Sequence, residues 1–155
     1  MPGLTADSLI ETIDGPMRVG QLAGRSMPVL TRFPDPDHGN LGFRIMRVAK
    51  EGKRAAVVKV TLDNSLSATV ATDQVFYRKG AQETVLAKDL QVGEQLESAW
   101  VFPAGYVSPQ TGTPSAGCYK VVTVEDAGEA EVFHGSVNQT HWYFLTCGVL
   151  CKDGG

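Results

Sequence analysis

Apolar and polar residues alternate along this chain over short runs broken by Gly, Pro, Asn and Asp. No stretch repeats apolar positions at helical spacing over more than a turn or two, so the pattern predicts many short strands and little helix. Leu9 to Ile13 and Met17 to Val19 flank Asp14-Gly15-Pro16, the signature of a hairpin around a glycine-containing turn. Pro28 to Phe33 reads as a strand closed by the loop Pro34-Asp35-Pro36-Asp37-His38-Gly39-Asn40. Gly42 to Ala49 and Ala55 to Leu62 flank Lys50-Glu51-Gly52-Lys53 and are expected to form a second hairpin. Within it, Val57, Val58 and Val60 suit a pleated, half-buried surface.

Further strands are expected at Ala68 to Ala71, Val75 to Arg78, Leu96 to Phe102, Tyr119 to Glu125, Ala130 to Gly135 and Trp142 to Leu150, with a turn at Lys79-Gly80. Thr84 to Leu90 fits a single helical turn, and Pro103 to Gly117, rich in Pro, Gly, Ser and Thr, fits a long loop. The fold class is therefore all-β, in one domain spanning residues 1–155. Pattern alone does not choose between sandwich, barrel and a less symmetric arrangement.

Composition adds boundaries. Hydrophobic residues make up 43% of the chain and charged residues 20%, enough apolar material for a core. A formal net charge of −3 offers no field that would favour nucleic acid or an anionic membrane, and no apolar run has the length of a membrane span. The first residues, Met1-Pro2-Gly3-Leu4-Thr5-Ala6-Asp7, do not have the pattern of a signal peptide, which sets the expectation of a cytoplasmic protein. Three cysteines, Cys118, Cys147 and Cys151, are too few and odd in number for a disulfide framework. On one extended segment Cys147 and Cys151 would stand roughly 13 Å apart, beyond disulfide reach.

Three ordered segments bear on function. Leu4-Thr5-Ala6-Asp7-Ser8-Leu9-Ile10-Glu11-Thr12, with Asp14-Gly15 and Val19-Gly20-Gln21-Leu22, resembles the N-terminal block of the hedgehog/intein (Hint) superfamily. Ala71-Thr72-Asp73-Gln74-Val75-Phe76, followed by Gly80, Ala87-Lys88-Asp89-Leu90 and Gly93, is similar to the block that carries the family's catalytic Thr and His. His141-Trp142-Tyr143-Phe144, then Gly148-Val149-Leu150-Cys151-Lys152-Asp153, resembles the C-terminal block. The order, spacing and length are similar to those of an intein without an endonuclease insert, and the Pro103 to Gly117 loop falls where such inserts occur. The resemblance implies a flat, horseshoe-shaped β fold of many short strands with its termini close together.

It also implies a site, and the residues at that site are unusual. Self-splicing opens with a Cys or Ser attacking the carbonyl before it, but the matching residue is Gly3, which has no nucleophile. Ser8 is a nucleophile by type but lies five residues too late. The family's Thr and His correspond to Ala71 and Gln74, and an amide is no general acid or base near neutral pH. Thr72 and Asp73 are adjacent and would present different faces of a strand. The terminal Asn, which closes to a succinimide with help from a preceding His, corresponds to Asp153 and Lys152. An ionised carboxylate is a poor nucleophile toward an amide, and an ordinary lysine does not shuttle protons at neutral pH. His141, matching a histidine of many members, is the retained candidate catalyst.

The expected function is thus that of a degenerate intein-like domain, not self-splicing, acting as a binding or structural module for an unknown protein or peptide partner. The cleft where Gly3, Gln74, His141 and Asp153 should converge is its natural site. The alternative is residual autoprocessing, a slow C-terminal cleavage after Asp153 assisted by Lys152 and His141. A third possibility is thiol chemistry at Cys151. Other groups invite blander readings. His134, His141, Cys147 and Cys151 lack metal-ligand spacing, so no metal or cofactor is expected. Lys50, Lys53 and Arg54 read as a solvated hairpin tip rather than a nucleic-acid patch. Glu125, Asp126, Glu129 and Glu131 lack the spacing of a calcium loop, and Gly154-Gly155 reads as a frayed end.

Overall fold

A computed structural model of the chain describes residues 2–109 and 112–154. Met1, Gly155 and residues 110–111 within the Pro103 to Gly117 loop lie outside the described residues. Fourteen strands follow one another: β1 Leu4–Thr5, β2 Leu9–Thr12, β3 Gly15–Arg18, β4 Ser26–Phe33, β5 Asn40–Val48, β6 Lys53–Leu62, β7 Ser67–Ala71, β8 Val75–Tyr77, β9 Thr84–Leu86, β10 Gln95–Leu96, β11 Tyr119–Phe133, β12 Gly135–Val137, β13 Trp142–Phe144 and β14 Leu150–Lys152. Among the described residues one short α-helix, α1, spans Val19–Leu22.

The strands form three sheets, in the orders β1-β7-β6-β11-β10, β12-β5-β4-β2-β3 and β13-β14-β8-β9. Their inner faces share one core. Leu4, Val58, Val60, Leu62 and Val70 come from the first sheet, Ile10, Val29, Met46 and Val48 from the second, and Phe76, Tyr143 and Cys151 from the third. A second face of the first sheet is covered too, where Val57, Ala71 and Val132 pack together. The apolar alternation of β6 therefore serves both sides of its sheet, as a central strand requires.

The hairpin at Leu9 to Val19 forms as β2 against β3, from Leu9↔Arg18 to Thr12↔Gly15, although Val19 opens α1 and not a strand end. The second expected hairpin does not form. β5 pairs with β4 along its length, from Ser26↔Arg47 to Phe33↔Asn40, while β6 pairs with β11 and β7. Met46 and Val48 share one core with Val58 and Val60 but belong to a different sheet, so these segments line the core from separate layers and do not share a ladder. Residues 49–52 cross between the two sheets, pinned where the Ala49 N–H donates to the His134 carbonyl at 2.8 Å.

Other expectations shift in detail. Tyr119 to Glu125 and Ala130 to Gly135 are largely one strand, β11, whose register slips between Asp126 and Glu129. There the Gly128 N–H donates to Asp126 Oδ1, so a bulge replaces the expected break. Leu96 to Phe102 contributes the end of β10, at Leu96, and isolated bridges of Leu96 with Arg78 and of Ser98 with Val149. Trp142 to Leu150 folds back on itself as the β13–β14 hairpin, and Thr84 to Leu90 splits into β9 and a 3-10 turn over Ala87–Asp89. The Pro103 to Gly117 segment is an excursion that closes on itself: the Gly105 N–H donates to the Ser115 carbonyl and the Ser115 N–H to the Tyr106 carbonyl, both at 2.8 Å. Among the described residues, no helix is long and apolar enough to cross a membrane.

Candidate functional site

The two ends of the described chain meet. β1 lies between β7 and β11, with Leu4 opposite both Val70 and Phe133. The next residue toward the N-terminus, Gly3, is held by its carbonyl, which accepts the Ala71 N–H at 3.0 Å. At the other end β14 is an inner strand of the third sheet, flanked by β13 and β8, with Cys151 opposite both Tyr143 and Phe76. The turn after β7 carries residues 72–74 between these ends, so Thr72 and Asp73 lie in a turn and not along a strand.

The positions singled out in the sequence fall around this junction as linked pairs. Gln74, 2% exposed, donates from Nε2 to the Lys152 carbonyl at 2.8 Å and so ties the turn to β14. Asp153 is buried; its Oδ2 accepts the Val137 N–H at 2.6 Å and lies 3.2 Å from His141 Nδ1. The Asp153 N–H in turn donates to the His141 carbonyl at 2.8 Å. The His141 ring is half exposed, whereas the Asp153 carboxylate is closed off from solvent. The Lys152 side chain belongs to an exposed residue. Ala71, 1% exposed, presents only a methyl group, packed against Val57 and Val132.

Gly3 is more than a missing nucleophile. A Cβ built there would lie 2.9 Å from the Phe133 carbonyl oxygen and 3.2 Å from Val132 Cβ, so the position has no free room for a side chain. The obstacle is strand backbone, which does not move aside as a flexible side chain would.

Three residues that sequence reasoning did not place at the junction are there: Pro2, His134 and Gly154. A Cβ on Gly154 would fall 2.0 Å from His134 Cε1, 2.4 Å from His134 Nδ1 and 3.1 Å from Pro2 Cγ. Gly154, itself exposed, thus passes close beside the imidazole, with Pro2 next to it. His134 Nδ1 is a buried side-chain nitrogen with no hydrogen-bond partner. Its only sequence signal was its residue type in a strand-rich stretch; the break between β11 and β12 at residue 134 is what turns it toward the ends.

The thiols around the site are held neutral. Burial pushes the Cys151 thiol well above its usual range, and the nearby Cys147 adds to this. Burial likewise raises Cys147 to about 11. The phenol of Tyr143 is driven well up by burial, then by the neighbouring Cys151 and Asp153. Among the described residues, no group of three His, Cys, Asp or Glu side chains is placed to hold a metal ion.

No protein-family model matches the sequence, and no curated protein matches it. Likeness to solved structures is extensive. The DnaB intein from Synechocystis sp. PCC 6803 superposes with a TM-score of 0.77 at 13% identity, with 100% of each chain covered. The DnaX mini intein from Spirulina platensis gives 0.71 at 14% identity, covering 99% of this chain and 100% of its own. A bacterial intein-like domain from Clostridium thermocellum gives 0.67 at 18% identity, covering 99% of both chains. These likenesses run nearly end to end, so this chain has the fold of those inteins and of the intein-like domain.

Proposed function

We propose that this intein-like domain no longer cuts its own backbone and that the junction of its ends serves as a binding or structural site for a protein or peptide. The observation that carries this reading is the closed space at Gly3. The position matching the family's first nucleophile lacks a side chain, and strand backbone 2.9 Å from the Cβ position leaves no room for one. The surrounding groups support it. Gln74 spends its amide on the Lys152 carbonyl, a link that holds the chain in place and offers no acid or base. Asp153 is engaged by a backbone N–H and by His141, which suits a fixed strand end better than an attacking carboxylate.

The test is a fusion with a folded protein at each end, its intact mass followed over days with and without added thiol, beside an Asp153→Ala control. A constant mass is expected. A product ending at Asp153 that disappears in the control would overturn the reading and favour the second one, slow cleavage after Asp153. What favours that alternative is the contact between His141 Nδ1 and Asp153 Oδ2, an imidazole within reach of the residue that would have to react. Chemistry at Cys151 has little support, because a thiol that is fully buried and raised by its surroundings is seldom thiolate.

A further inference from the structure

A cavity of about 710 Å³ lies between the Pro103 to Gly117 excursion and the start of β11, and it shares no residue with the junction of the ends. Its volume is that of an ordinary ligand site. The wall is aromatic. Trp100, Phe102 and Tyr106 line it and are 44%, 57% and 43% exposed, so these rings serve no core. Phe102 and Tyr106 stack on each other, with centroids 4.6 Å apart and planes inclined by 26°. The backbone that carries the rings is fixed. The Tyr119 hydroxyl donates to the Trp100 carbonyl at 2.9 Å, and the Tyr106 carbonyl accepts the Ser115 N–H across the excursion.

We infer that this cavity binds a proline-rich segment of a partner protein in the polyproline II conformation. The inference does not depend on how the junction is read. Its first support is the hydrogen-bonding balance of the wall. Asn64 is engaged at both ends: its Nδ2 donates to the Cys147 carbonyl at 2.8 Å, and its Oδ1 accepts the Leu66 N–H at 3.0 Å. The Ser115 hydroxyl donates to the Phe102 carbonyl and accepts the Gly117 N–H, and Ser108 and Thr113 have partners too. Among the described residues, the Trp100 indole N–H and the Tyr106 hydroxyl have none, and both can donate. A run of prolines is the complement of such a wall, because it offers carbonyl acceptors and no N–H. A sugar would bring hydroxyl donors to side chains whose acceptors are largely taken. Charge is the second support. Of the residues lining the cavity, Asp63 and Lys120 alone are charged, with opposite signs, so no net charge selects a phosphate or a strongly acidic or basic peptide. The third is shape: flat, exposed rings on a fixed backbone suit pyrrolidine rings. A polyproline II segment is already extended, so docking it there costs little ordering.

The probe is N-acetyl hexaproline amide, with a Gly-Ser hexapeptide and maltohexaose as comparisons, each titrated into the whole chain. The two tryptophans of the chain give two indole N–H signals in NMR. Trp142 is the internal control, since its Nε1–H is already donated to the Arg32 carbonyl at 2.8 Å. Hexaproline is expected to saturate, moving the Trp100 signal and leaving the Trp142 signal in place, while the Gly-Ser peptide does not saturate over the same range. Trp100→Phe and Tyr106→Phe each keep a ring and remove one donor. Each should weaken hexaproline roughly fivefold, the effect of one neutral hydrogen bond, with an unmoved Trp142 signal showing that the variant is folded. Four results would each overturn the inference: no saturation by hexaproline, a Gly-Ser peptide that binds as tightly, folded donor variants that bind like the parent, or a Trp100 signal that moves with maltohexaose and not with hexaproline.

Discussion

Replacing Gly3 by Cys restores the type of residue that would start self-cleavage, and the structure states what that restoration costs. A Cβ at this position meets the Phe133 carbonyl oxygen at 2.9 Å and Val132 Cβ and Cγ2 at 3.2 Å. Gly3 does not have a positive φ, so its backbone conformation is open to any residue. On chain entropy alone, Gly3→Ala should therefore stabilise by roughly 0.4–1 kcal/mol. Overpacking against a strand works the other way by about 1–3 kcal/mol, and the strand is the larger effect here because β11 is locked to β1 on one side and β6 on the other. The net expectation for both Gly3→Ala and Gly3→Cys is a loss of about 1–2 kcal/mol, a fall in Tm of roughly 2–8 °C for a chain this size. Urea and thermal unfolding measure it. Equal losses for the two variants would assign the cost to the Cβ and not to the thiol. Added thiol should release no N-terminal fusion partner from Gly3→Cys, because Ala71 and Gln74 supply neither acid nor base. Variants as stable as the parent, or rapid thiol-dependent release, would refute this account of the position.

Two other outcomes follow from groups away from the junction. Arg32 pairs with Glu97, both side chains largely buried, and also donates to the Ser98 carbonyl at 2.8 Å. Glu97→Ala should cost about 3–5 kcal/mol in urea unfolding, while Arg32→Met with Glu97→Leu should recover most of it; a single-variant loss under 1 kcal/mol would refute this. Cys147 is a neutral thiol raised by burial from about 9 to about 11. A raised acid leaves its stability contribution intact below its unfolded value, so the contribution is present below about pH 9 and lost as pH climbs toward about 11. The loss amounts to about 2–3 kcal/mol, and Cys147→Ala should lose correspondingly less between pH 8 and 11; parallel pH profiles for the two chains would show that another group is responsible.

The β class was legible because strand signals are local: the β-branched Val57, Val58 and Val60 favour an extended, pleated chain whatever they pair with. Partner choice was not local. Lys50-Glu51-Gly52-Lys53 has the composition of a hairpin turn, yet it bridges two sheets, because the decision lies in which apolar faces meet across the core. The gap expected between Tyr119 to Glu125 and Ala130 to Gly135 is a bulge, since β6 continues opposite it. The site shows the same division. Gly3, Gln74, His141 and Asp153 were expected at one junction only through the resemblance to the Hint blocks, and the structure links Gly3 to Ala71, Gln74 to Lys152 and His141 to Asp153. His134 could not, because what marks it is the lack of a partner for Nδ1 and the close approach of Gly154 to its ring. Neither leaves a mark in a one-dimensional pattern.

The Pro103 to Gly117 excursion has a consequence for how much this fold can carry. Gly105 and Ser115 are already bonded to each other, and the Ser115 hydroxyl also donates to the Phe102 carbonyl at 2.8 Å, so the two stems are clamped before the tip begins. Closing a loop from a fixed mouth costs entropy only with the logarithm of its length, about 0.6 kcal/mol for each doubling. A whole foreign domain with neighbouring ends, spliced in between residues 108 and 113, would therefore strain the host hardly more than a few extra residues would. The clamp makes this stretch a socket: the place where the scaffold can gain cargo while its three sheets go on folding as before.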